Sequence, residues 1–453
     1  MNFPESGISR DELLETLRAF KKKDGDWKHG RTWALVYDAG EEITSVMEEV
    51  YSEYFHANGN DPFVFESLRR LETEALAMTA DLLHGDENTR GSLTSCGSES
   101  LLMAVKTYRD EARAVKPHIK QPEMILATTA HAALFKAAHY LNVTPVVVPV
   151  DSEYRIDPDA VRAAITENTI LLIGSAPQYP QGIIDPIEDL GQIALEHNLR
   201  LHVDACLGGF TLPFIRELGG SISPFDLEVP GVSSISADLH KYGFAAKGVS
   251  AILYRNAQLR SYQYFSLSDW PGGLFSSPTV TGTRPGGAIA TAWAALKYIG
   301  RAGYLELNQG ILNTTKKLID AIASINSLHI LGSPQAGIFA IGSDTLDVHA
   351  LADILEARGW TISQQANPDS LHFMVTPAHA ASADDFIADL REATTQLMNN
   401  PDAFAHGSSQ LFKLQAQISD SGAADALLTE MLSQAMTEGP APTAEGVSFH
   451  LGL

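Results

Sequence analysis

Cysteine is almost absent from this sequence. Only two of the 453 residues are cysteines, Cys96 and Cys206. Two cysteines cannot build the disulfide framework of a small secreted domain, and they cannot complete a four-ligand zinc site. Both lie in apolar or glycine-rich stretches, which favours a packing role for the two thiols.

Basic residues and long apolar runs are also scarce. Lysine and arginine number 32 against 55 aspartates and glutamates, which gives a formal net charge of -23. Nucleic acids and anionic lipid surfaces attract basic proteins, so this balance argues against both as partners. The apolar runs are too short to span a membrane, and Met1–Glu5 has neither the basic start nor the apolar core of a secretory signal. We therefore expect a cytoplasmic protein without a transmembrane segment.

A regular alternation of patterns runs from about residue 63 to about residue 300. Segments with helical spacing of apolar residues alternate with short continuous apolar runs, which are typical of strands buried on both faces. This alternation predicts an α/β fold with a mainly parallel sheet, helices on both faces, and ligands bound beyond the carboxyl ends of the strands. The predicted helices cover 66–84, 98–114, 131–141, 157–166 and 186–197, and the predicted strands cover 124–127, 145–150, 170–174, 199–204, 233–237 and 249–254.

A chain of this length is too long for a single core. Changes in composition and in the pattern of apolar residues divide it into four regions. Residues 1–62 are expected to form an N-terminal helical segment, 63–300 a large domain, and 301–419 a smaller C-terminal α+β domain. Residues 420–453 are a tail rich in alanine, serine, glycine and proline. The elements expected outside the large domain are helices at 9–20, 41–55, 304–325, 346–358 and 382–398, and strands near 328–331, 337–341 and 371–375.

The stretch Ser233–Gly248, SSISADLHKYGFAAKG, carries the strongest chemical signal. It reads as a short buried strand that leads directly into Lys241. A lysine at the end of a buried strand is costly unless its charge is paired or removed. One way to remove the charge is a Schiff base with the aldehyde of pyridoxal 5'-phosphate (PLP). From these residues alone, a solvated loop lysine remains the alternative.

Two further stretches offer groups that suit the phosphate and the pyridine ring of PLP. Gly97 and Ser98 open a predicted helix, and the free amides of a helix N-terminus suit a phosphate. Asp204 ends a buried strand, where a protonated pyridine nitrogen would pair its charge and keep the ring an electron sink. The alternatives are an ordinary N-cap by Ser98 and a structural ion pair for Asp204.

Two more stretches complete the set of candidate PLP contacts. His131 lies at a strand-to-helix junction, where it could stack on a planar ring or cap the helix. The turn Gly282–Gly287, GTRPGG, precedes an apolar helix, and the Thr283 hydroxyl with the nearby amides could hold a second side of the phosphate. The order along the chain is phosphate turn, histidine, aspartate, lysine and second glycine-rich turn, which is the order expected of fold-type-I PLP enzymes.

Longer runs resemble one family within these enzymes. HVDACLGGF (202–210), SISADLHKYGFAAKG (234–248) and SPTVTGTRPGG (277–287) are similar to the sphingosine-1-phosphate lyases, which belong to the group II decarboxylase-like PLP enzymes. SAPQYPQGIIDP (175–186) and TAHAALFKAA (129–138) resemble the same family. The resemblance covers about residues 30–400.

This resemblance implies a role for each matching residue and a homodimer with active sites at the subunit interface. For the cofactor it implies a Schiff-base Lys241, Asp204 on the pyridine nitrogen, His131 on the ring, and a phosphate site of Gly97, Ser98 and His240 helped by Thr283 of the second subunit. For catalysis and substrate binding it implies Lys247 and Tyr179 of one subunit with Tyr37 and Asn58 of the other.

The family reaction is a retro-aldol cleavage of a phosphorylated long-chain amino alcohol into an aldehyde and phosphoethanolamine. Three positions depart from the family pattern: Asp61 where the family has a phosphate-binding histidine, the bulky run Trp33–Tyr37 with Leu35, and Phe412 where the family has a tyrosine. Larger side chains at 33–37 are expected to narrow or reshape the substrate entrance. These departures keep open a PLP-dependent amino-acid decarboxylase, and a non-enzymatic PLP-binding protein is the third hypothesis.

Overall fold

The computed structural model describes residues 3–61, 63–401 and six separate positions between 422 and 433. Its helices are α1 (Arg10–Lys21), α2 (Glu41–Glu53), α3 (Glu66–Leu82), α4 (Gly97–Val115), α5 (Ala132–Leu141), α6 (Pro158–Ala164), α7 (Ile187–Glu196), α8 (Leu212–Glu217), α9 (Ala257–Ser261), α10 (Gly286–Ala323), α11 (Val348–Glu356) and α12 (His379–Asn399). Its strands are β1 (Arg90–Thr94), β2 (Glu123–Ala127), β3 (Thr144–Val148), β4 (Thr169–Ser175), β5 (Arg200–Asp204), β6 (Val232–Ala237), β7 (Ser250–Tyr254), β8 (Phe265–Leu267), β9 (Phe275–Ser277), β10 (His329–Ile330), β11 (Ile338–Gly342), β12 (Ser363–Gln365) and β13 (Ser370–Met374).

A seven-stranded sheet of order β1-β7-β6-β5-β4-β2-β3 forms the centre of the molecule. The run from β6 to β3 is parallel, and β7 is antiparallel to both of its neighbours. Alternate residues of β2 enter two different cores: Met124 and Leu126 pack with α4 and α5, whereas Ile125 and Ala127 pack in the core on the other face. The sheet is therefore covered on both faces, as expected for strands of largely apolar sequence. The predicted α/β fold with helices on both faces is confirmed.

Most predicted elements of the large domain match the structure to within a few residues. One strand of the central sheet escaped prediction, because Arg90–Thr94 (RGSLT) has a single large apolar residue and therefore no clear period. The short helices α8 and α9 and the hairpin β8–β9 were also missed. The predicted helices before and after residue 300 form one long element, α10, which is interrupted by the non-helical backbone of Gly300 (φ 60°).

A second, four-stranded antiparallel sheet of order β10-β11-β13-β12 lies in the C-terminal part. Its core is aromatic, and Trp33 from the N-terminal segment is part of it, with ring centroids 5.3 Å from Phe373 and 4.2 Å from His379. The backbone of the same segment bonds to this sheet, because the Met374 amide donates to the Trp33 carbonyl at 2.8 Å. Trp33 is fully buried. The expectation that its bulk narrows an entrance is therefore wrong, since its side chain fills a core.

Within the described residues, every helix is too short or too polar to cross a membrane. The first helix, α1, begins as predicted after Ser9, whose hydroxyl accepts a hydrogen bond from the Glu12 amide at 3.2 Å. Although α1 is amphipathic, none of its residues is buried in the described part of this single chain. Leu13, Leu17 and Phe20 are all exposed.

Candidate active site

Lys241 lies just beyond the carboxyl end of β6, in a tight turn with Asp238. The Lys241 ammonium is 3.1 Å from Asp238 Oδ2, and the Asp238 side chain is almost completely buried. Burial alone would lower the pKa of Lys241, but the charge of Asp238, together with Tyr37, Cys206 and Asp204, raises this pKa above its ordinary value. Burial acts to raise the pKa of Asp238, but the charges of Lys241 and His240 act against it, and the pKa ends below its ordinary value. The carboxylate is therefore ionised. The lysine and the carboxylate therefore form a buried ion pair.

The local sequence fixes the shape of this turn. The Ala245 amide donates to the Leu239 carbonyl at 2.9 Å and folds the chain back over Lys241. A Cβ atom on Gly243 would lie 2.5 Å from the same carbonyl oxygen, so only glycine fits there. The turn therefore holds Lys241 at one place at the edge of the sheet.

Asp204 ends the neighbouring strand β5, beside β6. Its Oδ1 accepts a hydrogen bond from the Cys206 amide at 3.1 Å. The hydroxyl of Ser236, the residue paired with Asp204 on β6, lies 3.5 Å from the same oxygen. The carboxyl ends of these parallel strands meet at one edge, so Asp204 and Lys241 line the same cavity, of about 210 Å³.

The N-terminus of α4 forms another wall of this cavity. The helix begins at Gly97, one residue earlier than predicted, and its N-cap is Cys96 rather than Ser98. Among the described residues, no side chain caps this helix end, so its first amides are available to an anion. A Cβ atom on Gly97 would lie 2.6 Å from Asp238 Oδ2, which explains the glycine.

Two histidines also line the cavity. His131 is the N-cap of α5, and its Nδ1 accepts from the Ala133 amide at 3.1 Å, so it caps the helix and faces the cavity. Nδ1 of His240 accepts from the Val249 amide at 3.2 Å. Burial lowers the pKa of both imidazoles, although carboxylates nearby oppose this, Asp204 for His131 and Asp238 for His240.

Lys247 and Tyr37 lie together beside this cavity. The Lys247 ammonium is 4.6 Å from the centre of the Tyr37 ring and donates to the His240 carbonyl at 2.9 Å. Although the Lys247 residue as a whole is exposed, desolvation of its ammonium and the charge of Lys241 lower its pKa to about 8. Burial raises the pKa of Tyr37 well above its usual value, although the charge of Lys241 opposes this.

The contact between Tyr37 and Lys247 corrects one expectation. Tyr37 was expected to serve the active site of the partner subunit, but it lies against Lys247 of its own chain. Its hydroxyl donates to Met374 Sδ at 3.1 Å, so the second sheet holds it there. Tyr179, the other expected substrate-side tyrosine, is half-buried, with its ring centroid 6.2 Å from that of His131.

Asn58 and Thr283 are not among the described residues that line this cavity. They lie on two turns that bond to each other: Oδ1 of Asn58 accepts from the Arg284 amide at 3.1 Å, and the Gly59 amide donates to the Arg284 carbonyl at 2.8 Å. Thr283 itself is exposed. The two residues thus belong to a pair of bonded turns that does not line the Lys241 cavity of the same chain.

The positions that depart from the family pattern have different surroundings. Oδ1 of Asp61 accepts hydrogen bonds from the backbone amides of Phe63 and Val64 at 2.8 and 3.2 Å. This carboxylate therefore stabilises the loop in which it lies. Leu35 is half exposed and has a positive φ of 69°. Phe412 lies outside the described residues.

Sequence reasoning assigned no role to several residues of the site. Asp238 is the most important, and an acidic residue three positions before a buried lysine is the signal that could have found it. Both cysteines line the cavity as free thiols, rather than packing elsewhere. Glu99, in the first turn of α4, is buried, and its Oε1 accepts from the amides of Val280 and Thr281 at 2.7 and 3.2 Å. It therefore ties the segment before Thr283 to the helix that begins at Gly97.

These groups match the chemistry of PLP. The uncapped amides of α4 suit a phosphate, the carboxylate of Asp204 suits a protonated pyridine nitrogen, and the amine of Lys241 suits the aldehyde. The sheet order and the position of the cavity beyond the strand ends are those of the fold-type-I PLP enzymes.

Comparison with known proteins agrees with this class. Residues 26–340 match the family described as the pyridoxal-dependent decarboxylase conserved domain. The chain is 40% identical over 412 residues to sphingosine-1-phosphate lyase 1 of Mus musculus, covering 90% of this chain and 72% of the relative. It is 41% identical over 429 residues to sphingosine-1-phosphate lyase of Arabidopsis thaliana, covering 93% of this chain and 78% of the relative.

A solved structure gives the same result. The sphingosine-1-phosphate lyase of Burkholderia pseudomallei superposes with a TM-score of 0.85 at 38% identity, covering 93% of this chain and 97% of that chain. The chain therefore belongs to the sphingosine-1-phosphate lyase family of PLP-dependent lyases. The predicted family, fold class and cofactor are confirmed.

Proposed function

We propose that this protein is a PLP-dependent carbon–carbon lyase. Its substrate is a phosphorylated long-chain amino alcohol like sphingosine 1-phosphate, and its products are a long-chain aldehyde and phosphoethanolamine. The observation that carries the proposal is the Lys247–Tyr37 pair beside the Lys241 cavity, because retro-aldol cleavage needs a group that takes a proton from a hydroxyl next to the bond that breaks. The names of its relatives support the same reaction.

The cofactor end of the site is built from Lys241, Asp204 and the start of α4. When bound, PLP supplies an electron sink that stabilises the charge left by the broken C–C bond. Asp238 holds the Lys241 amine at the edge of the cavity, and Asp204 provides a carboxylate for the ring nitrogen. The amides of Gly97 and Ser98 would hold the phosphate, and His131 would pack on the ring.

Lys247 is the better candidate for the proton acceptor at the substrate. With a pKa near 8, a usable fraction of its side chain is neutral at physiological pH and can accept the hydroxyl proton. The raised pKa of Tyr37 keeps its phenol protonated, so Tyr37 acts as a hydrogen-bond donor. Tyr179 contributes a third group on the substrate side.

We propose that the active protein is a homodimer in which Asn58 and Thr283 complete the site of the partner subunit. Three observations support this. The two residues lie together outside the cavity of their own chain, Thr283 is exposed, and apolar side chains in the flanking segments are exposed, with Phe63 and Leu274 more than 80% accessible. The uncovered apolar side of α1 is a further surface that a second copy can bury. We also propose a cytoplasmic location, because both cysteines are free thiols, as is usual in a reducing compartment.

The direct test is to incubate PLP-loaded enzyme with a phosphorylated long-chain base and to measure the aldehyde. Lys241→Ala is the matched control and should release none. If wild-type enzyme binds the substrate but releases carbon dioxide from amino acids instead of aldehyde, the decarboxylase hypothesis replaces the lyase.

A further inference from the structure

One face of the second sheet borders the substrate side of the site. His372 and Met374 lie two residues apart on β13, and side chains at this spacing share a face. Ser363 on β12 is paired directly with His372, and directly paired residues also share a face. Ser363, His372 and Met374 are all buried, and we refer to them as the tyrosine platform.

His372 contacts both Tyr179 and the residue that follows it. The rings of His372 and Tyr179 are stacked, with centroids 4.2 Å apart and an interplanar angle of 29°. Nδ1 of His372 lies 3.1 Å from the Pro180 carbonyl oxygen, which can only accept, so Nδ1 carries the proton and donates it. The side-chain Nε2 of Gln365 donates to the same carbonyl at 3.1 Å. The chain at 179–180 is thus held by one stacked ring and two hydrogen bonds.

The other two members of the platform contact the tyrosine hydroxyls. Burial raises the pKa of Tyr179, and a side-chain hydrogen bond from Ser363 is the main effect that lowers it. The Met374 sulfur accepts the hydrogen bond of Tyr37 at 3.1 Å. Each substrate-side tyrosine is therefore held by the second sheet, whereas Lys241, Asp204 and the start of α4 belong to the first.

A histidine at position 372 lowers the stability of the fold if its only role is packing. The ring is fully buried, and its Nε2 has no hydrogen-bond partner among the described residues. An unpaired buried nitrogen costs free energy that a leucine or phenylalanine would avoid. Phe373 shows the alternative, because this neighbour on the opposite face packs against Trp33 and Phe339.

We propose that the tyrosine platform positions the two substrate-side tyrosines, and that His372 is a positioning residue for the reaction that acts through Tyr179. This inference rests on the proposed function only in taking Tyr37 and Tyr179 as the substrate side of the site. The cofactor end is built from other residues. We therefore expect changes in the tyrosine platform to affect the turnover of substrate but not the binding of PLP.

The test compares His372→Leu, His372→Phe and Ser363→Ala with the control Phe373→Leu, all as PLP-loaded enzyme. Aldehyde release from a phosphorylated long-chain base is expected to fall by about 10- to 100-fold in His372→Leu, because small displacements of positioning groups have effects of this size. His372→Phe keeps a ring on Tyr179 and should recover most of the rate. Phe373→Leu should lower the melting temperature and leave the rate close to that of wild type. The affinity for PLP should not change in any of them.

A second readout needs only bound PLP and does not depend on the identity of the substrate. Methoxyamine attacks PLP Schiff bases from solution, and the loss of Schiff-base absorbance gives its rate. Release of the Tyr179 ring from His372 should open the substrate side and speed this reaction in His372→Leu and Ser363→Ala. Unchanged rates in both variants would overturn the inference. So would equal losses of aldehyde release in His372→Leu and Phe373→Leu at equal melting temperatures.

The two readouts separate this inference from the proposed function. If wild-type enzyme releases no aldehyde, the proposed reaction fails, but the methoxyamine rates still decide the role of His372. If wild-type enzyme releases aldehyde and every platform variant behaves like wild type, the reaction stands and the inference fails. Should His372→Leu not fold, Ser363→Ala and Met374→Leu decide the question by the same measurements.

Discussion

The ammonium of Lys247 lies over the ring of Tyr37, 4.6 Å from its centre. The electron-rich face of the phenol stabilises the cation, whereas desolvation and the charge of Lys241 destabilise it. Desolvation prevails, and the pKa of Lys247 falls to about 8. For Tyr37, burial acts in the opposite direction and keeps the phenol protonated. Under the proposed function, we therefore infer that the lysine accepts the proton and that the tyrosine donates a hydrogen bond.

The pH dependence of aldehyde release tests this assignment. Below about pH 8 Lys247 is protonated and cannot accept a proton, so the wild-type rate should rise as the pH passes through that value. Lys247→Met should lower the rate by about 10²- to 10⁴-fold, the usual contribution of a general base, and should abolish this rise. The measurement is kcat between pH 6 and 10. Lys316→Met, which removes an exposed lysine, is the control. A Lys247→Met profile parallel to that of wild type would refute the assignment.

The Lys241–Asp238 ion pair predicts strong coupling in a double-mutant cycle. Removing one partner leaves a buried, unpaired charge, so Lys241→Met and Asp238→Asn should each cost about 3–5 kcal/mol of unfolding free energy in enzyme freed of cofactor. The double variant leaves no buried charge and should cost much less than the sum. Chemical unfolding of the four proteins gives the cycle. Additive costs would mean that the two side chains do not interact.

Acid should destabilise the attachment of the N-terminal segment to the second sheet. His379 accepts at Nδ1 from the Thr376 amide at 2.9 Å and lies 3.0 Å from the Thr32 carbonyl at Nε2, so its neutral form is required. Burial lowers its pKa to about 4. The unfolded chain has a pKa of about 6.5 and so binds more protons between these two values. Stability therefore falls as the pH falls from about 6.5 to about 4.

Measuring the unfolding free energy against pH isolates this residue. His379→Gln should be less stable than wild type at pH 7 but should lose less on acidification, by up to about 1.4 kcal/mol per pH unit. His29→Gln, at an exposed histidine, should leave the slope unchanged. An acid slope in His379→Gln equal to that of wild type would show that His379 is not the group responsible.

Shared active sites predict complementation between subunits. If Thr283 completes the site of the partner subunit, a mixed dimer of Lys241→Ala and Thr283→Ala chains contains one intact site and should regain about half of the wild-type activity. A mixed dimer of Lys241→Ala and Lys247→Met chains should stay inactive, because these two residues belong to one chain's site. Activity of purified mixed dimers is the measurement. No recovery in the first pair would argue against Thr283 acting across the interface.

The sequence was sufficient to predict the parts of the fold that have a strong local signal. The strands that lead to Asp204 and Lys241 are short runs of apolar, β-branched and small residues, and runs of this kind determined both the sheet and the edge at which the site lies. Residues 90–94 lack such a run, so β1 was missed. The role of Trp33 also escaped, because its burial depends on a strand more than 300 residues away along the chain.

Within the candidate site, chain order predicted which residues line the Lys241 cavity, but it did not predict the surroundings of Tyr37 and Tyr179. Gly97, His131, Asp204 and Lys241 each follow a strand or open a helix, so the topology brings them to one edge. The substrate side depends on contacts between the second sheet and distant loops, such as His372 with Tyr179, and no periodic pattern predicts such contacts. The assignment of Tyr37 to the partner subunit failed for the same reason.

The most direct test of the account is product analysis. PLP-loaded enzyme is mixed with a phosphorylated long-chain base, and both products are quantified together with the absorbance of the cofactor. The account predicts long-chain aldehyde and phosphoethanolamine in equal amounts, and neither product from Lys241→Ala. A shift of the cofactor spectrum without aldehyde, followed by carbon dioxide release from an amino acid, would contradict it.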